Sequence, residues 1–156
     1  MNGFPALFML LSFLLLTSII VVYSESNTKK DYELLDFLSS AEKASFERKI
    51  AEENIHYLIE KTLLEEAEKK SIGPLMAKKA VISKLNAYFY KLSLTKKPSL
   101  SEMDSSIKVL ITVMKRVVLS QFFNSGKDLE SSFQVGDFNQ SVLIPKNYSV
   151  QVVSFA

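Results

Sequence analysis

From Phe4 to Tyr23 the chain reads FPALFMLLSFLLLTSIIVVY, twenty residues without a charge. At about 1.5 Å of rise per residue this segment makes a helix of roughly 30 Å, the thickness of a bilayer's hydrocarbon core. A helix in a soluble core would keep some polar face toward water, and this one has none. Residues 1–24 are therefore predicted to be a transmembrane or signal-anchor segment, with the lipid bilayer as the partner of residues 4–23. A secretory signal has a shorter apolar region, about 7–15 residues, behind a basic start. Here the start is Met-Asn-Gly. Cleavage at Val22-Tyr23-Ser24, which would release a soluble secreted protein, is the alternative.

Beyond a polar connector at 25–30 the pattern turns periodic. Leu34, Leu35 and Leu38 are followed by Phe46, Ile50, Ile55, Leu58, Ile59, Leu63 and Ala67, at steps of three to five that keep an apolar stripe on one side of a helix. Ser39-Ser40-Ala41-Glu42 has the form of a capping box and would divide this stretch into two helices. Gly73-Pro74 marks a break, with Pro74 suited to the first turn of a second helix. Val81, Leu85, Tyr88 and Leu92 line one face of that helix. Ser101 and Asp104 suggest the start of a third, carrying Met103, Ile107, Leu110, Met114, Val117, Val118 and Phe122. The run Ile107–Met114 is also rich in β-branched residues, but its spacing continues for five turns, and helix is the reading adopted.

After Gly126 the pattern shortens to period two. SSFQV, SVLIP and YSVQVVSF read as three short antiparallel strands separated by turn-like GDFN and PKN. The fold predicted for residues 31–156 is a single α+β domain, helical over 31–126 and β over 127–156. Three short strands are marginal alone, so the helices must cover their apolar face.

Charge is segregated along the chain. Residues 31–68 hold eleven acidic and four basic side chains; residues 69–97 hold eight lysines and no acid. An antiparallel helix pair with mutually attracting flanks is the simplest account. A lysine-rich helix beside Tyr88, Phe89 and Tyr90 would also suit an anionic lipid surface. Nucleic acid is not expected as a partner.

The absence of cysteine excludes disulfides, thiolate metal sites and a cysteine nucleophile. The single histidine, His56, lies three residues after Glu53 and midway between Glu52 and Glu60, each four away. Glu-x-x-His is the spacing of four-helix di-iron proteins, but that site needs two such motifs and two further carboxylates. A metal-binding helical enzyme around Glu53 and His56 would need a homodimer. No phosphate loop or nucleophile elbow is present. No catalytic residue, metal ligand or cofactor is assigned, and the chain is not read as an enzyme.

Gly3-Phe4 followed by a long apolar helix resembles the processing junction of type IV pilins and pilin-like proteins, especially archaeal ones. The resemblance covers about the first 25 residues. It implies cleavage after Gly3, a new N-terminus at Phe4, a helix held in the membrane or in a filament core, and a β-rich C-terminal domain. The leader lacks the basic residues of that family, Phe8 stands where bacterial pilins have glutamate, and Pro5 falls early.

Lys29 and Lys30 would draw the C-terminal side toward the cytoplasm. N-terminal apolar segments usually serve export, however, and the sequons at Asn139 and Asn147 suit an external face. The sequence thus describes a single-pass, membrane-anchored, extracytoplasmic structural or interaction module. Its partner would be another protein or a second copy.

Overall fold

The computed structural model describes residues 4–69, 73–114, 117–126 and 128–153. Helix α1 runs over Phe4–Glu68, and the chain divides into two compact units between Glu42 and Lys43. In the first unit, hydroxyls in the apolar helix bond back to the turn before them. Ser12 donates to the Phe8 carbonyl (2.9 Å), Thr17 to that of Phe13 (3.0 Å) and Ser18 to that of Leu15 (2.9 Å). Such bonds satisfy polar groups without water.

The connector expected at 25–30 is helical. It contains neither Gly nor Pro, and Thr28 donates to the Ser24 carbonyl (3.0 Å) as part of the same ladder. Nor does Ser39-Ser40 divide the helix. A capping sequence stops nothing where the preceding residues are themselves good helix formers.

The second unit joins the rest of α1 to α2 (Pro74–Lys91), β1 (Leu94–Lys96), α3 (Leu100–Ser106), β2 (Ile107–Met114), β3 (Val117–Asn124), β4 (Glu130–Val135), β5 (Phe138–Leu143) and β6 (Asn147–Val153). Pro74 occupies the first turn of α2, as predicted, and Gly73 stands at its N-cap. Ser71 and Ile72, the rest of the expected break, lie outside the described residues. The face that α2 buries is Ala77, Val81, Leu85 and Phe89. Phe89 takes the core place expected for Tyr88.

The third predicted helix is corrected. Its cap is Ser99, which exchanges hydrogen bonds with Glu102: the Glu102 amide donates to Ser99 Oγ (3.2 Å) and the Ser99 amide to Glu102 Oε2 (2.7 Å). The helix lasts seven residues and ends at Ser106. Residues 107–124, expected as helix, form the β2–β3 hairpin, in continuous register from Ile107↔Asn124 to Met114↔Val117. Lys115 and Arg116, between the strands, lie outside the described residues. Apolar residues fill so many positions here that both periods fit, and β-branched Val and Ile tip the choice toward strand.

All strand pairs are antiparallel. The predicted C-terminal strands exist but do not form one sheet. β4 and β5 pair with each other and with β1 (order β1-β4-β5), while β6 pairs with β3 (order β2-β3-β6). The fold is α+β, and the core confirms that helices cover the strands. Ile55, Ile59 and Leu63 of α1 and Leu85 and Phe89 of α2 pack in one cluster with Met103, Ile107, Phe122 and Val142.

Candidate functional site

Two features of the chain have chemical content: the apolar N-terminal helix and the polar surface of the α1–α2–β6 region. In the first, the side chains from Phe8 to Tyr23 are exposed, with Thr17 half-buried. Phe13 is 70% exposed and Ile19 64%. This helix is long and apolar enough to cross a membrane, a test that a signal sequence also passes. Gly3, half of the suggested processing junction, lies outside the described residues, and Phe4 is the first residue of α1. Val22, Tyr23 and Ser24, the alternative cleavage site, are helical.

In the second feature, α1 and α2 meet through the core, and their polar flanks touch at two points. Lys84 Nζ lies 3.7 Å from Glu65 Oε2, and the Asn54 side-chain amide donates to the Tyr88 hydroxyl (3.3 Å). Contacts that pair 65 with 84 and 54 with 88 run in opposite directions, as an antiparallel pair requires. Charge attraction between the helices is nevertheless sparse. Among the described residues Glu65–Lys84 is the one ion pair joining them; Lys78 pairs with Asp104 (3.1 Å) and Lys96 with Glu130 (4.0 Å). The helices are held together mainly by their apolar faces.

Glu53 and His56 are both exposed on α1. The His56 ring packs against Tyr148 of β6, with centroids 5.8 Å apart. No group of three or more potential metal ligands occurs among the described residues. Burial first, then the hydrogen-bonding and negative charge of the Glu60 carboxylate, push the Tyr148 phenol from its ordinary 10.0 up to about 12. Glu60, His56 and Tyr148 thus fasten α1 to the edge strand β6, a contact between positions 88 residues apart that sequence spacing does not reveal. The folded state favours the neutral phenol. Its contribution to stability is complete below pH 10 and is lost as pH rises from 10 through about 12. In alkaline denaturation, wild type is expected to lose more stability across that window than Tyr148→Phe, whose curve lacks this component.

Asn139 and Asn147 are exposed, on β5 and at the start of β6. The hydroxyl of Ser141, the third residue of the first sequon, donates to Glu130. A cavity of about 460 Å³ opens beside Lys96, Glu102, Ser105, Asp128 and Glu130. Lys96 and Lys97 stand there against the carboxylates of Glu102, Asp128 and Glu130, and its lining contains no nucleophile–base pair.

No family model, curated protein or solved structure matches this chain. A long apolar N-terminal helix followed by a β-rich C-terminal region fits a pilin-like architecture, and this likeness of architecture is as far as the comparison with pilins extends.

Proposed function

We propose that the protein is a single-pass, membrane-anchored, extracytoplasmic subunit of a surface assembly, pilin-like in design and structural rather than catalytic in role. The observation that carries this reading is the exposed apolar helix at residues 8–23, long and apolar enough to cross a membrane. Some 16 apolar-rich residues left in water would be costly, and a bilayer removes that cost. Beyond the polar stretch 24–31 the helix exposes apolar residues again, at Leu34, Leu35 and Leu38. Exposed apolar residues outside the lipid-spanning stretch suit contact with protein. Accessible sequons at Asn139 and Asn147 support an external face for the folded domain.

Native membranes provide the test. After a carbonate wash the protein is expected in the pellet, and its mature N-terminus by mass is expected to be Met1 or Phe4. Release by carbonate, or a mature chain starting near Ser24, overturns the anchor. Protease added to intact cells is expected to digest the domain; digestion only after lysis overturns the external placement.

A further inference from the structure

We propose that residues 31–42 of α1 in one copy dock on the outer face of α2 in a second copy. The contact rests on the assembly reading above and gives it a defined interface.

The first observation is charge left over within the chain. Asp31, Glu33, Asp36 and Glu42 lie in a segment without a basic residue. Among the described residues none of the four takes part in an ion pair, and neither do Lys79 and Lys91 on α2. The four acids of 31–42 and two of the four lysines of α2 thus stand outside the ion pairs of the described residues, and their signs are complementary.

The second observation is the shape of the two helix surfaces. Opposite its buried stripe, α2 exposes Met76, Lys79, Ser83, Ala87 and Tyr90 at steps of three and four. Two small residues lie between two large ones, so another helix can approach closely along the middle. Tyr90 is 82% exposed, with Lys97 Nζ 5.9 Å from its ring centroid and Lys91 next in sequence. On the acidic side, Tyr32 is 72% exposed and Leu35 61%. Apolar residues thus stand between charges on both surfaces. Burial of the tyrosines and leucines supplies attraction, while the opposed charges select the partner and its register. Because the two surfaces differ, each copy offers one and accepts one. The contact either closes reciprocally or continues into an open row.

The test uses the full chain in detergent micelles, where membrane topology plays no part. One variant carries Glu33→Lys and Asp36→Lys; the other carries Lys79→Glu and Lys91→Glu. In sedimentation at low salt, wild type is expected to self-associate and each variant alone to do so at least about tenfold more weakly. An equal mixture is expected to recover association, since each altered helix then meets one of opposite charge. A mixture no better than either variant, variants indistinguishable from wild type, or a wild type monomeric throughout overturns the docking. A second measurement does not depend on the variants folding. Wild type prepared as a mixture of light and ¹⁵N-labelled chains is treated with carbodiimide, and mixed-isotope cross-links from Asp31, Glu33, Asp36 or Glu42 to Lys79 or Lys91 are expected. Their absence also overturns the docking. Carbonate-resistant membrane retention reports separately on the anchor: retention without cross-links removes this contact alone, and cross-links without retention remove the anchor alone.

Discussion

Replacing Phe122 with alanine is expected to destabilise residues 43–156 by about 3–5 kcal/mol, the usual cost of emptying a buried aromatic site. Phe122 is fully buried on β3, the central strand of its sheet. Val109 of β2 stands opposite on one side and Tyr148 of β6 on the other. Its ring belongs to the cluster that contains Ile55, Ile59, Leu85 and Phe89, so its loss leaves a void that two helices and a sheet must close around. Against a typical total of roughly 5–15 kcal/mol, such a change brings a domain of this size near unfolding. Ser120 gives the control. It lies on the same face of β3, fully buried, and its hydroxyl makes no hydrogen bond among the described residues. Ser120→Ala removes a desolvated polar atom and is expected to leave stability unchanged or raise it. Chemical denaturation followed by circular dichroism measures both. A cost below about 1 kcal/mol for Phe122→Ala would place its ring outside the core.

The same strand shows why sequence reading failed where it did. Val117, Val118 and Phe122 fit a helical stripe, and so do Ile107, Leu110 and Met114 before them. They fit a strand as well, because few polar residues interrupt the run. Lys108 was the local sign of alternation: it is exposed between fully buried Ile107 and half-buried Val109. The connection between the strands, Lys115-Arg116, carries none of the Asn-Gly or Asp-Gly chemistry that announces a two-residue hairpin. By contrast, Gly73-Pro74 was legible because a missing side chain and a missing amide act locally. So was the stripe Ile55, Ile59, Leu63, whose polar flanks leave one period only.

Candidate sites divide along the same line. The apolar segment at 4–23 is readable from composition, since bilayer thickness sets its length. The packing of Tyr148 on His56, and the ion pairs Lys78–Asp104, Lys96–Glu130 and Lys146–Asp128, join separate elements and follow from the topology. Charge segregation correctly suggested that α1 and α2 pair, but for an incomplete reason. Apolar burial joins them.

Placing two lysines in the apolar helix, Leu15→Lys with Ile19→Lys, is expected to release the chain from the membrane. Each lysine near the middle of a spanning helix costs about 2.5–3.5 kcal/mol on the insertion scale, and each lost aliphatic residue removes a few tenths more, so the pair costs roughly 6 kcal/mol. A penalty of that size shifts an insertion equilibrium by about four orders of magnitude. The four-residue spacing puts both charges on one face, so rotation of the helix cannot hide one without the other. Carbonate extraction reads the outcome: wild type in the pellet, the double variant in the supernatant or degraded. The folded domain is expected to be indifferent, because the second unit is compact by itself and its core is built from residues 51–150. Denaturation midpoints equal for the two proteins therefore separate loss of anchoring from loss of folding. If the double variant stayed carbonate-resistant with its domain intact, residues 4–23 would not be the tether, and attachment would have to pass to another surface, with the lysine-rich α2 the first to examine.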